Sequence, residues 1–111
     1  MIAHIVLFRP RADLSSAEAE GLVKAFEKAV NGIPAIRRAR VGRRVTFGRG
    51  YEQMMRTDFT YAAVLEFDDL DSLHEYLDHP AHGDVGGAVF AAASDILVYD
   101  FEMAAGLETA R

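Results

Sequence analysis

The chain contains no cysteine and no tryptophan. Without cysteine there is no disulfide framework, no thiolate nucleophile and no thiolate metal centre. No apolar run approaches the roughly 20 residues of a membrane span. The start, Met1 to Arg9, lacks the basic end and long apolar core of a signal peptide, and a cytoplasmic location is expected from those absences. Basic residues are in deficit, 12 against 17 acidic ones, for a net charge of −5. The overall field therefore favours neither nucleic acid nor an anionic membrane as a partner. What is present is ordinary for a globular protein: 50% of the 111 residues are apolar and 26% charged. That length suits one domain, assigned to residues 1–103, with a frayed tail over 104–111.

The segment richest in chemistry is Glu75-Tyr76-Leu77-Asp78-His79-Pro80-Ala81-His82, which holds two of the four histidines. Pro80 lacks an N–H and its ring clashes with a preceding helical turn, so it ends one helix and can open the next at its first position. Tyr76 then falls near the end of a short helix and His82 in the first turn of another. The positive end of that second helix disfavours an imidazolium. A neutral imidazole near a phenol is a workable acid/base pair. The same residues also make a common structural corner, with His79 capping the second helix and His82 bonded to a backbone carbonyl.

Taken in order, Ile2 to Phe8 is a short apolar run rich in β-branched and aromatic residues, which predicts a strand covered on both faces. The two-residue period puts His4 on the face of Ile2, Val6 and Phe8. Ser15 followed by Glu18 has the spacing of a capping box. Ala19, Leu22, Val23, Phe26 and Val30 then recur at helical intervals up to Asn31-Gly32 and Pro34. From Ile36 to Phe47 a strand is expected, with Ala39, Val41, Val45 and Phe47 on one face, Arg38, Arg40 and Arg44 on the other, and a bulge or twist at Gly42. Five arginines lie between Arg37 and Arg44. They have no interleaved aromatics for base stacking, and basic residues on a strand blunt an open edge. Gly48 to Asp58 is read as a loop. Phe59 to Phe67 is a second strand with Tyr61, Ala63, Leu65 and Phe67 on one face. Asp69 caps a helix carrying Leu70, Leu73, Tyr76 and Leu77. Beyond Pro80, Ala81 to Ala93 forms a helix whose Gly83, Gly86 and Gly87 leave space against whatever it covers. After a turn at Ser94-Asp95, Ile96 to Glu102 alternates as a last strand.

This β-α-β-β-α-β order, with the second helical region broken in two, is the ferredoxin-like α+β arrangement: a four-stranded antiparallel sheet with helices on one face. Two of its strands are apolar on both sides. An apolar second face needs a cover, and the chain has no residues left to supply one, so a homodimer formed through the sheet face is expected.

Several short stretches together carry a family resemblance. They are His4-Ile5-Val6-Leu7-Phe8, Ile33-Pro34-Ala35, Gly42 with Val45-Thr46, and Phe67-Asp68-Asp69, followed by Tyr76 with His79-Pro80-Ala81-His82 and Val98-Tyr99-Asp100-Phe101. The chain resembles the stress-responsive dimeric α/β-barrel (Dabb) family from about Met1 to Met103, and Tyr-x-x-His-Pro-x-His is its most specific part. The resemblance implies a protomer whose sheet faces that of a second copy in a dimeric barrel. It also implies, from the plant polyketide cyclase branch, a cofactor-free aldol cyclisation with the catalytic pair at Tyr76 and His82. The chain departs from that branch at Asp78, where the cyclases have an apolar residue, and at Ala93, where they have a large aromatic. Gly83 and Asp84 also alter the approach to the last helix.

For such chemistry a base removes a proton next to a carbonyl and a donor steadies the oxyanion. His82 suits the first role and Tyr76 the second. His4 offers a further polar contact, with Val23, Phe26, Val85 and Val98 as apolar walls. The ligand expected is a small apolar carbonyl or phenolic compound, with no cofactor and no metal. His79 and His82 are three apart, near His74, Glu75 and Asp78, but the capping role of His79 turns it from the shared helix face. The alternatives are a non-catalytic stress-responsive barrel that binds a small ligand, and a cofactor-independent monooxygenase of the related barrel group. A cavity lined by Tyr76, His82 and His4 would mark chemistry. A filled core with both side chains bonded to backbone would mark a structural corner.

Overall fold

In a computed structural model of the chain, residues 1–107 are described. Eight elements follow in order: β1 (Ile2–Pro10), α1 (Ser16–Gly32), β2 (Arg38–Arg43), α2 (Gly50–Gln53), β3 (Tyr61–Phe67), α3 (Leu70–Asp78), α4 (Pro80–Ala92) and β4 (Ala93–Glu102). The sheet runs β2-β3-β1-β4 and every neighbouring pair is antiparallel. This is the ferredoxin-like protomer expected from the sequence. Among the described residues no helix is long and apolar enough to cross a membrane.

Local chemistry sets the helix ends. Ser15 Oγ accepts from the Glu18 amide at 3.1 Å, and the Glu18 carboxylate accepts from the Ser15 amide at 3.0 Å, completing the capping box. Asp69 accepts from the Ser72 amide at 2.8 Å and starts α3. His79 caps α4 through Nδ1, which accepts from the Ala81 amide at 3.0 Å, and Pro80 opens that helix. The core lies between the helices and one sheet face, around Phe67, Ile33 and Leu65, with Ala29, Leu73, Tyr76 and Val85 packed about them.

Several expectations need correction. β2 ends at Arg43, and its register with β3 runs unbroken through Gly42, so there is no bulge there. β3 starts at Tyr61, so Val45 and Phe47 have no strand opposite them and are exposed. The stretch expected as a loop from Gly48 contains the short helix α2, organised by the Glu52 carboxylate, which accepts from the amides of Phe47 and Gly48. β4 follows α4 directly from Ala93 with no turn at Ser94-Asp95, and the irregularity in that pairing lies at Arg9/Pro10. The α4 glycines do not make room for a neighbour: a Cβ at Gly83, Gly86 or Gly87 would meet nothing within 4 Å. Of the expected tail, 104–107 carries no helix or strand, and the remainder lies outside the described residues.

The protomer is a slab of 37 × 37 × 16 Å with a radius of gyration of 15.2 Å. A compact chain of this length would have about 13 Å. The flatness follows from two layers with nothing on the second sheet face. Leu97, Tyr99 and Phe101 stand on that face at 37%, 55% and 49% exposure.

Candidate active site

The site grows from the α3–α4 corner. Tyr76 sits in the last turn of α3, one turn beyond the buried Leu73, and only 3% of it is exposed. Its ring touches Phe67 of β3 at 5.2 Å between centroids. On its other sides stand two imidazoles, His82 at 4.6 Å and His4 at 5.6 Å, both edge to face. The corner brings Tyr76 and His82 together because Pro80 restarts the chain after the backbone bond from the His79 amide to the Tyr76 carbonyl. His4 arrives from β1, whose even positions face the helices.

Each flanking imidazole is held by Nδ1. The Nδ1–H of His82 donates to the Leu77 carbonyl at 3.1 Å. A carbonyl can only accept, so the hydrogen sits on Nδ1 and Nε2 keeps its lone pair. The Nδ1 of His4 donates to Asp100 Oδ1 at 2.5 Å, across the β1–β4 pairing that sets these two residues opposite each other. The Tyr76 hydroxyl makes no hydrogen bond among the described residues, nor is it a sealed polar atom. It is a free donor.

Burial fixes the charge states. It pushes the Tyr76 phenol up to about 12, with the Asp100 carboxylate adding to the rise. The hydroxyl thus keeps its proton across the accessible range. Burial is also the main cause that lowers His82 below 6.5; the Leu77 bond opposes it and His4 assists. The neutral imidazole expected from the helix end is thus favoured chiefly by desolvation.

A cavity of about 440 Å³ opens between α1 and the sheet, walled by Val6, Phe8, Val23, Phe26, Tyr61 and Val89 among others. Val23 and Phe26 line this cavity. Val85 is instead packed in the core between His82 and Val89 on α4, and Val98 lies opposite Val6 on β4 without lining the cavity. Tyr76, His82 and His4 do not line it either. They adjoin it, because Val6 is the next residue after His4 on the same face of β1. A second hollow of about 400 Å³ lies beyond Ile2 and Glu102 and is edged by Asp68, Asp69 and Asp71. Among the described residues no three His, Asp or Glu side chains group so as to hold a metal ion.

The sequence model of the stress responsive A/B barrel domain, Dabb, matches residues 2–103. The chain belongs to the Dabb family. It is similar to olivetolic acid cyclase of Cannabis sativa, 22% identical over 100 residues that span 90% of this chain and 94% of the cyclase. Its fold matches a hydroxynitrile lyase from Passiflora edulis at 19% identity, with a TM-score of 0.78 over 95% of this chain and 94% of the lyase. It also matches a dimeric ferredoxin-like protein from Thermobifida fusca at 24% identity, with a TM-score of 0.71 over 92% and 90% of the two chains.

In this Dabb protomer the structure adds Asp100, which sequence reasoning had not placed in the site. The alternation of β4 already set Asp100 on the face of Ile96 and Val98. Only the pairing with β1 shows that it meets His4. The result is a continuous line of side chains, Asp100, His4, Tyr76 and His82, in which a lone-pair nitrogen and a free hydroxyl lie close together. That arrangement can accept a proton at one point and donate a hydrogen bond at another.

Proposed function

We propose that this Dabb protein is a cofactor-free acid/base enzyme of cyclase or lyase type, acting on a small carbonyl compound. The observation that carries the reading is the Tyr76–His82 contact, with His82 Nδ1 tied to Leu77 so that Nε2 is the free base. In the reaction, His82 Nε2 takes a proton from the carbon next to a carbonyl. The electron pair moves onto the carbonyl oxygen, where the Tyr76 hydroxyl donates to it. When the enolate carbon attacks a second carbonyl and the new carbon–carbon bond forms, His82 returns the proton to the alkoxide left there; in the lyase direction His82 takes the proton from that hydroxyl, the carbonyl forms as the carbon–carbon bond breaks, and the released carbanion takes the proton back. The apolar cavity beside Val6 takes the substrate's alkyl or aryl portion. The cyclase relative and the lyase neighbour support a reaction of this class. The enzyme acts as a homodimer joined through the sheet face: that face is apolar and open, and the Thermobifida neighbour is dimeric.

A second reading, a barrel that binds an apolar ligand without turnover, is favoured by one fact. The cavity is walled by apolar side chains and the Tyr76–His82 pair only adjoins it. An NMR titration of the histidine rings, with and without phenolic acids and short alkyl β-diketones, separates the cases. Under the enzyme reading His82 titrates below 6.5 as the Nδ1–H tautomer, shifts with ligand, and the protein speeds deuterium washout next to the ligand's carbonyl. Ligand shifts at Val23 and Phe26 without washout leave the binding barrel. A His82 ring indifferent to every ligand makes the corner structural.

A further inference from the structure

The cavity between α1 and the sheet carries one group that a purely apolar pocket does not need, a guanidinium at its lip. Arg43 stands directly opposite Tyr61 in the β2–β3 pairing. Directly paired residues of antiparallel strands point the same way, so Arg43 shares the helix face with Tyr61, which lines the cavity. The Arg43 guanidinium lies 5.6 Å from the centre of the Tyr61 ring, and one of its NH2 groups donates to the Tyr61 hydroxyl at 3.4 Å. Arg11, Arg37 and Arg44 each meet a carboxylate. Arg43 meets none among the described residues, and the Tyr61 hydroxyl, which accepts from Arg43, donates to nothing there. A cationic fork and a free O–H therefore stand together at the edge of a cavity walled by Val6, Phe8, Phe26 and Val89. Among the described residues Glu27 on α1 is the one charged residue in that wall. It repels an anion, and so leaves the Arg43 lip as the place for a negative head group.

We propose that the cavity takes a straight-chain monocarboxylate, a conclusion that rests on its role above as the pocket for the substrate's apolar portion. The alkyl chain lies between α1 and the sheet. The carboxylate accepts from the Arg43 guanidinium, whose planar fork matches its two oxygens, and from the Tyr61 hydroxyl. The volume of about 440 Å³ is in the range of small-ligand sites. The register also gives the chain a direction. Arg43, Tyr61 and Phe8 form one row across the strands, and Ala39, Leu65 and His4 form another four residues along. The two rows are about 13 Å apart. A chain that starts at Arg43 and passes Val6 runs towards the Tyr76–His82 pair. Any carbonyl that the pair acts on then belongs at the far end of the chain, away from the carboxylate.

Isothermal titration calorimetry with octanoate, 1-octanol and octylamine tests the head group, with amide shifts at Val23 and Phe26 reporting that the cavity is filled. Octanoate binds about 10-fold more tightly than either of the others, and from hexanoate to decanoate each methylene tightens binding about three- to four-fold. Arg43→Gln weakens octanoate by about 10-fold or more and leaves octanol unchanged, because a hydrogen-bonded charge is lost while the apolar walls stay. Arg43→Lys recovers only part of that loss, since an ammonium lacks the fork. Tyr61→Phe weakens octanoate by about three- to ten-fold. Octanol or octylamine binding as tightly as octanoate, or Arg43→Gln binding octanoate as wild type does, overturns the carboxylate site and leaves the apolar pocket standing. Failure of all three chains to shift Val23 and Phe26 overturns the pocket itself.

Discussion

Tyr76→Phe separates the packing of this ring from the work of its hydroxyl. The ring is 3% exposed and lies against Phe67, His4 and His82, so truncation to alanine would cost about 3–5 kcal/mol. The phenylalanine variant keeps those contacts and gives up a hydroxyl that has no protein partner among the described residues. Its stability at neutral pH is expected within about 1 kcal/mol of wild type. At high pH the two proteins diverge. The folded state holds the Tyr76 proton up to about 12, against 10.0 for an unperturbed phenol. A raised folded pKa gives stability that is complete below 10 and is lost as the pH climbs through 12. That difference corresponds to at most about 3 kcal/mol. Urea unfolding followed by far-UV circular dichroism, at one fixed protein concentration so that any association acts equally, shows the alkaline fall in wild type. Tyr76→Phe lacks that component. Deuterium washout at the ligand falls by about 100- to 1,000-fold in the variant. Three results would refute the reasoning: a neutral-pH loss well above 1.5 kcal/mol, superimposable alkaline limbs, or unchanged washout.

Asp100→Asn removes the second cause of the Tyr76 rise and the carboxylate that holds His4. An ultraviolet titration of tyrosinate is expected to show the most basic tyrosine moving down towards 10, and an unmoved one would detach Asp100 from the site. For His82 the folded pKa lies below 6.5, so its contribution to stability is complete above 6.5 and is lost as the pH falls through the folded value. His82→Ala should flatten that part of the acid limb, as urea midpoints across the range will show. Gly87→Ala, on an exposed turn of α4 where a Cβ meets nothing within 4 Å, should stabilise the protein by about 0.5–1 kcal/mol. A destabilised variant would point to an occupant on that helix face.

What could be read in the sequence was local or periodic. The Ser15/Glu18 box, the Asp69 cap and the Pro80 break each act within a few residues, and they set three helix starts where expected. The order of strand and helix periodicities led to the ferredoxin-like arrangement. What escaped depends on pairing between distant segments. The alternation from Ala39 continues to Phe47, yet a strand lasts only while a partner runs beside it, and β3 begins too late to cover Val45. The fold of α2 rests on a carboxylate reaching back to two amides, which has no periodicity. Asp100 joined the site only through a bond between residues 96 positions apart. The cavity is likewise a matter of how α1 seats on the sheet, and no pattern of residues states a volume.

Strand β1 ties the two halves of the molecule's chemistry together. Its even positions carry His4 against Asp100 and Tyr76, and then Val6 and Phe8 at the cavity. Its odd positions carry Ala3, Ile5 and Leu7 onto the open face, opposite Phe101, Tyr99 and Leu97. A slip of one residue against β4 would exchange these sets, sending His4 out of the core and Ile5 into the site. The register that opposes His4 to Asp100 is thus the one that aligns Arg40, Val64, Ile5 and Tyr99. The His4 bond holds that register, because any slip would break it. Changes on the open face should leave the His82 titration in place while the strands stay paired, and should disturb it only when β1 and β4 themselves come apart.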